Sequence, residues 1–236
     1  MTAASDGAPV RRVLAWDAPT RLFKWSLVLL VVDAWLSNKY GAATPAWHKW
    51  NGYAVLVAVV FRILWGFFGG STARFSHFVR PWKALVYLPS LFRIPGTQYL
   101  GHNPLGGLWI VAILGLCFLQ GALGLYSSDE DRVVIEGPLA STVSSATVDA
   151  ATHWHGVIFD AIIWLAVLHL AAVFFYDILK GYGLLPAMIW GTKPGAFYAD
   201  EQEAAPGSPV TALLCLLAAV VLVFGAIAAL GGNVLR

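Results

Sequence analysis

Long apolar segments alternate with short polar ones along the chain, as in proteins that cross a membrane several times. A bilayer core about 30 Å thick needs roughly 20 mostly apolar residues per helix. Five segments predict transmembrane helices, and they cover residues 22–36, 50–68, 106–126, 152–176 and 209–230. Residues 82–93 are also apolar, but they are few and contain Pro89, which favours an amphipathic segment on the membrane surface.

The composition indicates an all-α integral membrane protein. Of the 236 residues, 58% are hydrophobic and 12% are charged, and the mean hydropathy is +0.69. Soluble globular domains carry about a quarter charged residues. The net charge of +2, without a basic cluster, gives no indication of a nucleic-acid partner. The expected partner is the lipid bilayer.

The positions of lysine and arginine predict the direction of the helices. With the N-terminus inside, 11 of the 15 basic residues fall on the inner side and four on the outer side. Loops rich in lysine and arginine stay in the cytoplasm, so the N-terminus is predicted to be cytoplasmic and the C-terminus to lie across the membrane. The loop at 127–151 is then outside, and it is acidic through Asp129, Glu130, Asp131, Glu136 and Asp149.

The fifth apolar segment differs from the other four. It contains no charge, no histidine and no tryptophan, and it follows the polar stretch YADEQEAAPGS. We therefore divide the chain into an N-terminal tail at 1–19, a four-helix bundle at 20–194, a linker at 195–208 and an additional transmembrane helix at 209–236.

Two histidines of the fourth predicted span indicate two stacked cofactor sites. His155 and His169 are 14 residues apart, so they share one helix face with about 21 Å between them along the axis. A haem iron takes an axial ligand on each side of the porphyrin, commonly an imidazole. The predicted topology puts His48 at the outer level with His155, and Lys24 at the inner level with His169. Alternatively, each histidine is a hydrogen-bonded packing residue of the bundle.

Five motifs of the chain are familiar. It resembles the bacterial cytochrome b561 and nickel-iron hydrogenase b-type cytochrome family in WDAPTRLFKW, WHKWNGYAVLVAVVFRILWGFFG, ARFSHF, GHNPLGG and HWHGVIFDAIIWLAVLHLAAV. The resemblance runs from about residue 13 to residue 194. It leaves out most of the N-terminal tail and the fifth span.

The resemblance implies a four-helix bundle with two b-type haems, one near each membrane face. His48 and His155 would ligate the outer haem iron, and His169 would ligate the inner one. The family has histidine in its motif Arg-Leu-Phe-His-Trp, where this chain has Lys24. Lys24 either ligates the inner iron, or extends to the interface and leaves the inner haem five-coordinate, or marks a chain without the inner haem that keeps one haem or has a different function.

Three other residues at the inner level are candidates for cofactor binding. Arg21 and Arg62 would pair with haem propionates, or they only mark the positive inner boundary. His102 in GHNPLGG would bind a quinone or a propionate, or it caps the helix that begins beside Pro104. No catalytic residue is predicted.

The resemblance also implies a function. We expect an electron-transfer subunit of a respiratory oxidoreductase complex in the bacterial cytoplasmic membrane, working between the quinone pool and a periplasmic cytochrome c or a dehydrogenase or hydrogenase-type subunit. The acidic outer loop is suited to dock a basic partner. Two alternatives are a membrane anchor or assembly subunit with one or no haem, and a stand-alone quinone oxidoreductase that acts on a small oxidant.

Overall fold

The computed structural model describes residues 11–40, 45–92, 97–129 and 135–234, and these residues are mainly helical. In this part of the chain the α-helices are α1 (Ala18–Tyr40), α2 (Pro45–Phe68), α3 (Phe75–Phe78), α4 (Pro81–Tyr87), α5 (Pro104–Gly124), α6 (Ser145–Phe174), α7 (Leu184–Trp190) and α8 (Pro209–Ala229). The short strands described are β1 (Arg12–Leu14), β2 (Ser128–Asp129), β3 (Ile135–Glu136) and β4 (Thr192–Pro194).

Among the described residues, four helices are long and apolar enough to cross a membrane. They cover Ala46–Phe68, Pro104–Gly124, Ser145–Leu179 and Pro209–Ala229, and they match four of the five predicted spans. α1 has 23 residues, or about 34 Å at 1.5 Å per residue, but it carries Arg21, Lys24 and Asp33 and does not belong to this set. The all-α membrane fold is therefore confirmed, while the crossing by α1 stays a prediction.

Side chains at the ends of the helices set where they begin. Asp17 accepts a hydrogen bond from the Thr20 amide at 3.0 Å just before α1 begins. Asn103 accepts one from the Gly106 amide at 2.7 Å and caps α5. Such caps satisfy amides that have no partner inside the helix.

α1, α2, α5 and α6 share one core. Phe23, Val55, Leu114 and Ile162, one from each helix, are buried in the same cluster. Lipid tails are as apolar as these side chains, so close packing rather than removal from water holds such helices together. Cys117 lies in this cluster as a buried free thiol, consistent with a packing role.

The additional helix α8 packs along α2. Val223 and Ile227 share a buried cluster with Tyr53 of α2. Cys215, nearer the start of α8, shares another with Trp65, nearer the end of α2. The opposite face of α8 is apolar and exposed. α8 is therefore a fifth long helix that packs on the outside of the four-helix core and has a lipid-facing side.

We call the end of the bundle with Lys24 and Arg62 the inner end, and the end with His48 and His155 the outer end. β1 and β4 pair antiparallel at the inner end, with Leu14 opposite Thr192. Residues 195–207 pack beside this pair, and together we call β1, β4 and residues 195–207 the inner cap. The segment predicted as a linker is thus folded against the bundle.

Two predicted surface features have different outcomes. Residues 82–93 begin in α4 and continue in a 3₁₀-helix at Leu88–Phe92, and both are far too short to span a bilayer. Trp82, Leu85 and Val86 are exposed, while Ala84 and Tyr87 are buried. This division fits the predicted amphipathic segment. The acidic outer loop includes the hairpin of β2 and β3, but its residues 130–134 lie outside the described part of the chain.

Candidate functional site

The structure brings His48 and His155 together at the outer end. His48 lies in the first turn of α2 and His155 on α6, and their ring centroids are 6.3 Å apart with nearly perpendicular ring planes (81°). Metal–imidazole bonds are about 2 Å long, so two rings bound on opposite sides of one metal ion have centroids about 6 Å apart. The two rings therefore have a spacing that would suit two imidazole ligands of one metal ion.

Hydrogen bonds from α5 orient the His155 ring. Its Nδ1 lies 3.0 Å from the backbone carbonyl oxygen of Gln120, and its Nε2 lies 3.1 Å from the side-chain nitrogen of the same residue. A carbonyl only accepts, so Nδ1 donates the proton and Nε2 keeps its lone pair for the amide. A histidine that binds a metal usually donates its other ring N–H to a carbonyl or carboxylate in this way.

Gly124 allows α5 to approach this ring closely. A Cβ atom at position 124 would lie 2.9 Å from Cε1 of His155, which is shorter than real Cβ contacts.

The nearby Asp33 accepts a hydrogen bond from Trp47 Nε1 at 2.9 Å. That carboxylate is therefore satisfied within the bundle.

His169 lies on α6 on the inner side of His155, in one uninterrupted helix. The 14 residues between them correspond to about 21 Å along the axis, as the sequence predicts. The neighbouring His153 is exposed and packs on Trp154, with ring centroids 5.6 Å apart. His153 is thus separate from the His48–His155 pair.

The amine of Lys24 points to the inner cap. Its Nζ lies 3.5 Å from the centroid of the Trp16 ring, and among the described residues this buried atom has no hydrogen-bond partner. A cation above the face of a tryptophan is attracted by the electrons of the ring. The side chain is therefore placed for a cation–π contact.

Arg62 and Arg21 have different surroundings. Arg62 is 2% exposed, its Cζ lies 5.2 Å from the Phe75 ring centroid, and its buried Nη1 has no partner among the described residues. Arg21 donates from Nη1 to the Ile189 carbonyl oxygen at 2.5 Å, near the end of α7. Arg62 is thus available to an anion inside the bundle, whereas Arg21 holds α7.

His102 is enclosed at the inner end. Its ring centroid lies 4.8 Å from that of Trp16 and 4.9 Å from that of Phe78, and its buried Nε2 has no partner among the described residues. Burial lowers the pKa of His102 well below its ordinary value, and the neighbouring Lys24 and Arg62 lower it further. The imidazole is therefore neutral at pH 7. Asn103, not His102, caps α5.

Three residues that the sequence analysis did not single out shape these sites. Gln120 orients His155, and Trp16 contacts both Lys24 and His102. Lys193 is 2% exposed and donates to the Tyr99 carbonyl oxygen at 2.9 Å, and burial lowers its pKa to about 8. Trp16 is the first residue of WDAPTRLFKW, one of the motifs that carried the family resemblance, so the sequence did draw attention to it. Nothing in the local sequence indicated Gln120.

Comparison with known proteins gives one match. Neither the curated proteins nor the solved structures include a match to this chain. The family model of prokaryotic cytochrome b561 matches residues 15–191, which are most of the chain and include Lys24 and the five histidines considered above. The chain therefore belongs to the prokaryotic cytochrome b561 family.

Proposed function

We propose that this protein is a membrane b-type cytochrome that passes electrons between the quinone pool and a partner redox protein through two haems stacked across the membrane. Membership of the family supports a haem b protein in electron transfer. The observation that carries the two-site arrangement is the ligand-like His48–His155 pair, with His169 about 21 Å along the same helix.

The His48–His155 pair supports the outer site. His48 and His155 would hold a haem between α2 and α6, and the His155 Nε2 lone pair, which accepts from the Gln120 side-chain amide here, would bind the iron instead. A bound b-type haem takes up and releases one electron at its iron. The chain would set the orientation of the ligands through the hydrogen bond from His155 to Gln120.

The inner site is proposed on His169. The Nζ of Lys24 is buried against Trp16 on the side of the inner cap, which argues against extension to an exposed interface. Ligation of the inner iron by Lys24 stays a prediction. Low-spin EPR signals of the wild type and of Lys24→His would test it, because the histidine variant restores the pair of imidazoles that the family motif has at this level.

The quinone and the protein partner are proposed from chemistry alone. His102 offers a neutral imidazole at the inner end, suited to a quinone oxygen. The acidic outer loop would dock a basic periplasmic cytochrome c or a dehydrogenase or hydrogenase-type subunit. The orientation in the cytoplasmic membrane follows from the inner excess of lysine and arginine.

The haem content tests the proposal. We would measure haem b per polypeptide by the pyridine haemochrome method in detergent, for the wild type, His155→Leu and His153→Leu, because leucine cannot bind iron. We expect about two in the wild type, a loss of about one in His155→Leu, and no loss in the control, because His153 is exposed. Equal haem content in the two variants would contradict the outer pair, and one haem in the wild type would contradict the inner site.

A further inference from the structure

Three buried nitrogen atoms without partners lie at the inner end, on side chains that are near enough to interact by charge. They are Lys24 Nζ, Arg62 Nη1 and His102 Nε2, and none has a hydrogen-bond partner among the described residues. Buried polar groups in proteins are nearly always hydrogen-bonded, and a buried charge needs a partner even more. Three such atoms in one place therefore call for a shared explanation.

Aromatic rings connect the three side chains. Trp16 contacts Lys24 on its face at 3.5 Å and His102 at 4.8 Å between centroids. Phe78 lies 4.9 Å from the His102 ring centroid and 5.9 Å from Arg62 Cζ. We call these five residues the cation chamber. Its walls are apolar, so a charge inside it is poorly screened.

Two carboxylates of the inner end, Asp17 and Asp200, are already engaged by the backbone. Asp17 accepts from the amides of Thr20 at 3.0 Å and Gly207 at 3.3 Å. Asp200 accepts from the amides of Leu100 at 2.7 Å and Gly101 at 2.9 Å. Asp17 reduces the positive potential at Lys24 and Arg62. Neither carboxylate makes a hydrogen bond to Lys24 Nζ or Arg62 Nη1 in the described structure.

We propose that the cation chamber binds an anionic oxygen group, a carboxylate or a phosphate, through Lys24, Arg62 and the Nε2–H tautomer of His102. Lys24 then acts by its charge and not as a ligand of iron. One source of the anion, the carboxylates of an inner haem, rests on the proposed function. The other source, a lipid headgroup or free phosphate, does not.

The variants separate charge from iron ligation. Lys24→Arg keeps the charge and cannot ligate iron, because a guanidinium stays protonated, while Lys24→Met removes the charge. Lys83→Met is the matched control, since Lys83 is exposed on α4. Arg62→Met tests the second cation. Each variant is made in the full chain and purified in non-ionic detergent after growth under haem limitation.

Two measurements identify the source of the anion. The first is the affinity for haem compared with haem dimethyl ester, in which both carboxylates are esterified. The second is the thermal unfolding midpoint of the haem-depleted protein in sodium phosphate and in sodium chloride of equal ionic strength. Charge-assisted hydrogen bonds correspond to a change of roughly tenfold to hundredfold in affinity.

If haem supplies the carboxylate, the wild type, Lys24→Arg and Lys83→Met prefer haem over the ester by roughly tenfold or more, and Lys24→Met and Arg62→Met lose this preference. If phosphate is the source, sodium phosphate raises the unfolding midpoint of the wild type, Lys24→Arg and Lys83→Met, and not that of Lys24→Met or Arg62→Met. Equal behaviour of Lys24→Arg and Lys24→Met in both measurements overturns the proposal. A normal haem content with that result leaves the proposed function standing, because haem is counted separately.

Discussion

Replacing Gly124 by alanine should disturb the outer site through His155 alone. The added Cβ would lie 2.9 Å from Cε1 of the imidazole, about 0.5 Å or more short of an ordinary contact, so the ring has to move. That movement breaks the 3.0 Å hydrogen bond from Nδ1 to the Gln120 carbonyl. Loss of such an orienting partner usually lowers metal affinity by about 10-fold to 100-fold, and we expect that range for the outer haem.

Gly115→Ala is the matched control. Gly115 lies in the same helix, and a Cβ there meets nothing within 4 Å. Alanine in a helix interior is about 1 kcal/mol more favourable than glycine, so this variant should be as stable as the wild type or more so. Haem titration and the low-spin EPR signal of the outer haem provide the assay. Unchanged haem affinity and EPR signal in Gly124→Ala would refute the role given to the His155 ring.

Two further predictions concern the inner end. Asn103→Ala removes the cap on the Gly106 amide and should lower the free energy of unfolding by about 1 kcal/mol, measured by SDS titration; no change would contradict the capping role. Burial would raise the pKa of Asp200, but hydrogen bonds from His77 and from the Gly101 amide prevail and hold it below the ordinary 3.8. Its stabilising effect is therefore present at neutral pH and lost as the pH falls below that value. Hydrogen-exchange protection of Gly101 should show this loss in the wild type and not in Asp200→Asn.

Much of the fold could be predicted from the sequence because a bilayer allows few solutions. Apolar length fixed four spans, and the match extends to α8, which lies outside the family motifs. α1 was harder, because Arg21, Lys24 and Asp33 lower its hydropathy. The inner cap was missed, since its strand pair joins residues about 180 positions apart and each strand has three residues.

The candidate site shows the same limit. His155 and His169 could be placed on the same face of one helix, because 14 residues correspond to almost four full turns. His48 could be predicted from the topology, because it lies at the start of the second span, at the same outer level as His155. Gln120 could not be found, because its contact with His155 depends on how two helices pack. Helical periodicity gives the face of a residue but not the partner across the interface.

The contact with the Trp16 ring is too weak to compensate the cost of burying the Lys24 ammonium group. In a helix the Cα–Cβ bond tilts towards the N-terminus, so Lys24 on α1 is directed to the inner cap, where Trp16 lies. A desolvated cation–π contact stabilises by about 2 kcal/mol, whereas burying one ammonium ion costs several kcal/mol. Arg62 and Lys193 are close enough to add repulsion, and Asp17 offsets only part of it. The remaining deficit is what an anion in the cation chamber would remove.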